Sequence, residues 1–172
     1  MKYQIRPIAL ADNEQVAQVI RTVMTEFGCV GEGFSITDPE VDDMYGNYLG
    51  DRQGFYVVEE VSASLQTSES GAAKSIVLVG GYAPLINGDP AMCELRKMYG
   101  YSTIRGLGLG KRLMQQILQD STAAGFKQMY LETASSMSEA AGLYKRFGFR
   151  HIDAALGQTG HGGCDHFMLR DL

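Results

Sequence analysis

The chain has 172 residues, 45% of them hydrophobic, which reads as one packed domain spanning 1–172 and excludes wholesale disorder. At this length a fold buries about 70% of its unfolded surface, enough to hold together without a disulfide or a metal. Lys and Arg number 15 against 20 Asp and Glu, a formal charge of −5, which speaks against a general nucleic-acid or anionic-membrane binder.

Tyr3 to Pro7 alternates in polarity and predicts a first strand. Asp12 and Gln15 are spaced as a capping box. Val16, Val19, Ile20, Val23, Met24 and Phe27 follow at helical spacing, and Gly28 ends the helix. Asp38-Pro39 predicts a capped second helix through about Tyr48. Residues 55–58 and 76–79 predict a strand and its return. Ser62 to Ser75 between them, rich in Ser, Ala and Gly, reads as a solvated hairpin loop. Asn87-Gly88-Asp89-Pro90 is turn chemistry, and 91–101 predicts a longer strand.

A glycine-rich run then opens into a helix with Leu109, Leu113, Met114, Ile117 and Leu118 on its apolar face, ended by Gly125. A strand at 129–131 and a helix at 139–147, capped by Gly148, come next. Short strands near 150–153 and 166–169 complete the order β-α-α-β-β-β-α-β-α-β-β, a mixed α/β fold. Cys29, Cys93 and Cys164 are odd in number and far apart, as expected of reduced thiols. The N-terminus lacks the apolar core of a signal peptide, and no apolar run approaches the ~20 residues needed to cross a bilayer. A cytoplasmic chain with no membrane partner is the expectation.

The run Arg105-Gly106-Leu107-Gly108-Leu109-Gly110, between a strand and a helix, has the build of an anion site. Glycine lets the backbone approach closely, and the first helical amides have no internal partner. Diphosphate suits such a place. Lys111 and Arg112 add local cations. A dinucleotide fingerprint needs glycine where Lys111 stands, and the Walker pattern fails at Arg105 and Arg112.

Those six residues match the Q/R-x-x-G-x-G/A signature of the GNAT superfamily of N-acetyltransferases. Glu94-Leu95-Arg96-Lys97-Met98-Tyr99 resembles that family's fourth strand. Leu131 and the stretch Ala140-Ala141-Gly142-Leu143-Tyr144-Lys145-Arg146-Phe147-Gly148-Phe149 resemble its fifth strand and following helix, with the pattern A-x-x-L-Y-x-x-x-G-F. The resemblance covers nearly the whole chain. It implies a central, mixed, mostly antiparallel twisted sheet flanked by about four helices. It also implies acetyl-CoA as cosubstrate, with Met98, Tyr99 and Gly100 along the pantetheine arm. Arg105, Gly106, Leu107, Gly108, Leu109, Gly110 and Lys111 would lie at the phosphates. The sequence departs from the family pattern at Gly100, where a β-branched residue is common, and at Ser102, where proline is common. It departs again at Met137, where an asparagine often contacts the cofactor.

Amines of pKa about 8 to 10.4 are partly or mostly protonated at neutral pH, so acetylation calls for a general base. By its place on the fourth strand the resemblance offers Glu94, with Glu132 on the next strand as competitor. Tyr144 matches the family tyrosine beside the thioester sulfur and is the candidate acid. Arg96 and Lys97 alternate on a strand, so one should face inward, where it can hold an acceptor carboxylate. The acceptor pocket is expected from residues 27–43, including Phe27 and Phe34, and from the C-terminal loop with His161 and Cys164.

The spacing His161-x-x-Cys164-x-His166 is too short for a finger-type site, so no metal is expected. Cys164 as an acyl carrier is the less simple route, since an amine attacks a thioester directly. The reading is therefore acetyl transfer to a primary amine of a small molecule. Acetylation of a protein N-terminus or lysine, and a non-catalytic acyl-CoA sensor, are the alternatives. Exposed sheet edges, which often pair in small α/β domains, leave a homodimer open.

Overall fold

The computed structural model describes residues 2–61 and 75–172. The strands are β1 (Tyr3–Pro7), β2 (Gly54–Glu60), β3 (Ser75–Pro84), β4 (Met92–Gly100), β5 (Gln128–Thr133), β6 (Arg150–Ile152) and β7 (His166–Asp171). The helices are α1 (Asn13–Glu26), α2 (Met44–Asn47), α3 (Leu109–Ala123) and α4 (Ser138–Arg146). One seven-stranded sheet runs in the order β1-β2-β3-β4-β5-β7-β6. Every neighbouring pair is antiparallel except β4 and β5. A parallel pair needs a crossover, and α3 supplies it, so the glycine-rich turn sits at the one parallel step. The mixed, mostly antiparallel sheet with four helices is the fold expected from the sequence.

Alternation along the strands builds a core on each face of the sheet. Val58, Cys93 and Leu95 pack with Leu109, Leu113, Met114, Ile117 and Leu118 of α3. Val57 and Val79 pack on the other face with Val16, Val19, Ile20, Val23 and Met24 of α1. Apart from Phe27, which follows α1 and is only partly buried, the stripes read from helical spacing are thus the buried ones.

Two local expectations are corrected. Asp12 does not cap α1 with its side chain. Its carboxylate accepts the Ala9 amide at 2.7 Å and pairs with Arg6 at 2.6 Å. Gln15 reaches across instead and accepts the Ile76 amide at 3.1 Å. The helix expected after Asp38-Pro39 is a 3₁₀ turn, Pro39–Asp43, leading into α2. Asp38 makes no cap bond there, because its carboxylate is committed to Lys97 and His161. The loop read at Ser62–Ser75 lies outside the described residues, apart from Ser75, which opens β3.

Glycine 81 shows how closely β2 and β3 approach. A Cβ there would lie 2.4 Å from the carbonyl oxygen of Gly54 and 2.6 Å from the Phe55 ring. Backbone cannot yield as a side-chain tip can. Gly81→Ala is expected to cost about 1–3 kcal/mol of stability, seen as a lower denaturant midpoint at unchanged slope.

Candidate active site

β4 and β5 pair only at Met92↔Gln128, Cys93↔Met129 and Glu94↔Tyr130. Beyond Glu94 the strands part, β4 running on to Gly100 and β5 following β7 to Thr133. The cause lies in β4. Its register on β3 moves from Val79↔Tyr99 to Gly81↔Arg96, so Lys97 and Met98 together face Gly80. Lys97 takes a φ of +50°, rare for a residue with a side chain. Such a bulge bends its strand, and here it opens a cleft between two parallel neighbours.

The bulge also corrects the alternation expected of Arg96 and Lys97. Both side chains are turned inward, 13% and 1% exposed respectively. Neither stands free to hold an acceptor carboxylate by charge. Arg96 Nε donates to Glu94 Oε2 at 2.6 Å. Lys97 Nζ is bonded to Asp38 and, at 2.8 Å, to Glu40. Those ion pairs hold the strained backbone in place.

Past the bulge the β4 edge is laid open. The Tyr101 amide donates to Val77 O at 3.1 Å, which makes Val79 and Tyr99 the next hydrogen-bonded pair across β3. By alternation the peptide groups of Met98 and Gly100 point away from β3, toward the cleft. Gly100, unusual against the family pattern, has a packing reason. A Cβ there would lie 2.8 Å from Leu78 Cδ1 and 3.1 Å from Ile104 Cδ1.

The glycine-rich turn follows at the same end. Gly106 and Gly108 have φ of +78° and +77°, and a Cβ on either would meet nothing within 4 Å. The first helical amide of α3 with an internal acceptor is that of Arg112, on Gly108 O at 3.1 Å. The amides of Leu109, Gly110 and Lys111 precede it and lack a helical partner. Leu107 is exposed and Leu109 buried, while Gly110 lies between Met98 and Leu143. Lys111 and Arg112 are exposed on the first turn. Arg105 is turned the other way, bidentate to Glu26 at 2.6 and 2.8 Å with its guanidinium over the Phe27 ring. Phe27 therefore belongs to this side and does not line the cleft.

Glu94, Arg96, Lys97, Met98, Tyr99, Phe34, Tyr144, His161 and Cys164 all line the cleft. Glu94 is 3% exposed. Burial raises its carboxyl above the ordinary range, and the Arg96 charge and hydrogen bond oppose the rise. Tyr144 is buried against Phe149, and burial alone pushes its phenol up, so it stays protonated at neutral pH. Burial also pushes the Cys164 thiol up to about 12. Met137 is a buried apolar wall at the start of α4. Glu132 accepts at Oε1 from the hydroxyls of Tyr130 and Thr159, each at 2.8 Å.

The roof comes from both segments expected around the acceptor. The Gly163 amide donates to Gly33 O at 3.0 Å, and Phe34 packs beneath Gly163. His161 descends from this roof, with Nε2 3.0 Å from Asp38 Oδ2 and 3.3 Å from Ser35 Oγ. Its Nδ1 lies 3.9 Å from Glu94 Oε1. Sequence reasoning missed Ser35, Asp38 and Glu40. Asp38-Pro39 carries the signature of a helix cap, which hid its other use. Burial would raise Asp38, but the hydrogen bonds and charges of His161 and Lys97 outweigh it and hold the carboxyl at about 2.

The acetyltransferase (GNAT) family model matches residues 29–149, from just after α1 to just past α4. YjgM, an uncharacterized N-acetyltransferase of Escherichia coli, is 39% identical over 169 residues, 98% of this chain and 94% of that protein. An uncharacterized N-acetyltransferase of Schizosaccharomyces pombe is 30% identical over 142 residues, 81% of this chain and 77% of that protein. Among solved structures, a GNAT-family acetyltransferase from Staphylococcus aureus superposes with a TM-score of 0.75 at 20% identity over 98% of both chains. A GNAT superfamily phosphinothricin acetyltransferase from Sinorhizobium meliloti, in complex with AcCoA, gives 0.71 at 20% identity over 100% of this chain and 89% of that one. At such identities the solved structures bear on the fold alone. The open parallel step, the glycine turn behind it and these relatives agree: the chain belongs to the acetyltransferase (GNAT) family of N-acetyltransferases.

Proposed function

We propose that the protein transfers an acetyl group from acetyl-CoA to a primary amine of a small molecule by direct attack, with Glu94 as base and Tyr144 as acid. The observation that carries this reading is the cleft itself. It joins an open strand edge and a partnerless helix N-terminus to a buried carboxylate and a buried phenol.

The residues present suit acetyl-CoA. The amides of Leu109, Gly110 and Lys111, with the Lys111 and Arg112 charges, offer the diphosphate an anion site free of overhanging side chains at Gly106 and Gly108. The outward peptide groups of Met98 and Gly100 offer the pantetheine arm a strand edge. Bound acetyl-CoA supplies a thioester carbonyl and a thiol leaving group. Glu94 Oε1, free of Arg96, takes the proton that an ammonium must lose before its nitrogen can attack. Tyr144 holds a hydroxyl proton for the departing sulfur and regains one from the acylated nitrogen.

Two findings favour direct attack on a small acceptor. A Cys164 thiol held up to about 12 is not a thiolate at neutral pH, which argues against an acyl-cysteine step. The Phe34 loop clasped to Gly163 narrows the acceptor end, which argues against a folded protein entering. With Arg96 and Lys97 already paired, amines without a carboxylate suit the cleft better than amino acids.

An acceptor panel monitored by free thiol tests this. Thiol release from acetyl-CoA is expected to depend on a small primary amine and to exceed release with peptides. Release with peptides alone would overturn the acceptor class. Tight acetyl-CoA binding with no release on any amine or peptide would favour a sensor.

A further inference from the structure

We infer that His161, oriented by Asp38, carries away the proton that Glu94 takes from the acceptor, so that Asp38, His161 and Glu94 form one relay. This inference rests on the reading of Glu94 as the base.

The need for a relay follows from proton balance. An ammonium and a thioester become an amide and a thiol, with one proton left over in every cycle. If Glu94 takes that proton, Glu94 must discharge it before the next turn. Its side chain is 3% exposed, and Oε2 is held by Arg96 Nε at 2.6 Å. A guanidinium has no acceptor atom, so Arg96 cannot receive the proton. The way out runs through Oε1, and the ring nitrogen Nδ1 of His161 lies 3.9 Å from it.

The far side of the ring decides what Nδ1 can do. Nε2 is 3.0 Å from Asp38 Oδ2. Asp38 is held ionised by His161 and by buried Lys97, and an ionised carboxylate only accepts. Nε2 therefore carries the hydrogen and donates it to Asp38. In the neutral ring that fixes the tautomer and leaves a lone pair on Nδ1, facing Glu94. A lone pair opposite a carboxylate oxygen is repulsive while both are bare. A proton between them turns the contact into an attraction. The pair is built to share one.

The transfer is balanced atom by atom. The Glu94 Oε1–H bond breaks and the Nδ1–H bond forms. Glu94 is again a carboxylate, and the ring is an imidazolium stabilised by Asp38 in the manner of an acid-oriented histidine. Nδ1–H then passes to water at the cleft, and the neutral ring returns. A separation of 3.9 Å exceeds a hydrogen bond, so the first transfer takes a small ring movement or a single bridging water. The groups facing the His161 ring are Ser35 and Asp38 from the segment before α2 and Glu94 from β4, while its backbone amide donates to Thr159 Oγ1 and its carbonyl accepts from the Cys164 amide.

The test compares His161→Gln and His161→Ala with the parent chain on one working acceptor. Each is expected to lower kcat by about 10²-fold while acetyl-CoA affinity, measured by calorimetry, stays within two-fold of the parent (about 0.4 kcal/mol). Added imidazole should restore much of the rate to His161→Ala. Rates across H2O–D2O mixtures should bow in the parent, as several protons move, and bow less in His161→Gln, where only the Glu94 and Tyr144 transfers remain. A kcat within a few-fold of the parent overturns the relay. So does a loss that imidazole leaves unchanged while the isotope dependence stays as bowed as in the parent, since that marks a merely structural histidine. Glu94→Gln separates the two levels. If it is slow and His161→Gln is not, the relay fails and the base stands. If Glu94→Gln is itself near normal, the base fails first.

Discussion

Gly108→Glu is expected to abolish measurable acetyl-CoA binding while leaving the chain folded. Gly108 sits at the N-cap of α3 with φ +77°, and a Cβ built there meets nothing within 4 Å. A Cβ there therefore clashes with no protein atom. Its structural cost is the left-handed backbone, about 1–2 kcal/mol for a residue with a Cβ. The functional cost is larger. The side chain fills the approach to the free amides, and its carboxylate can accept from them itself, as an N-cap residue does. The helix N-terminus that would draw a diphosphate is then occupied by the protein's own anion. Gly108→Ala carries the same backbone penalty without the charge or the reach, so it should keep part of the affinity. Calorimetry on both variants, with a thermal melt to establish folding, checks the assignment. An unchanged affinity in folded Gly108→Glu would remove the glycine turn from the cofactor site.

Much of this architecture was legible because each element carried its own punctuation. Gly28, Gly125 and Gly148 all take positive φ just past the helices they were expected to end. The apolar stripes of α1 and α3 are buried at the positions given by their period. Cap patterns gave way where other groups, near or distant in the chain, claimed the same side chain. Asp12 obeys a cap pattern, yet Arg6 and the Ala9 amide claim it. Asp38 obeys another, yet Lys97 and His161 claim it. The bulge at Lys97 has no local signal at all. Nothing in Arg-Lys-Met says that one residue will take a φ of +50°, because the reason is a pair of carboxylates some 60 residues earlier. For the same reason Glu94 and Tyr144 were reachable by family pattern, whereas the Asp38–His161 contact was not. It joins the segment before α2 to the loop before β7 and leaves no spacing in the sequence.

Replacing Glu94 and Tyr144 should separate chemistry from binding. Both groups are proposed to act on protons in flight, so each substitution should lower kcat more than it weakens acetyl-CoA binding. The expected loss is about 10²–10⁴-fold. Glu94→Gln removes basicity, but its amide oxygen can still accept from Arg96 Nε, which now donates at 2.6 Å. The largely enclosed Arg96 loses its counter-charge in that variant, a cost that belongs to stability and should appear in the melt rather than in the pH slope. The rate of Glu94→Gln should rise with pH, because an acceptor amine that is already neutral no longer needs the base. Tyr144→Phe keeps the ring against Phe149 and removes only the donor. No rise in pH replaces that proton, so its deficit should persist across the range. Measuring kcat for both from about pH 6 to 10 on one acceptor gives two distinguishable profiles. Near-parental rates in both would overturn the assignment. Glu132, fixed at one oxygen by Tyr130 and Thr159 on the opposite wall of the cleft, would then be the base to test.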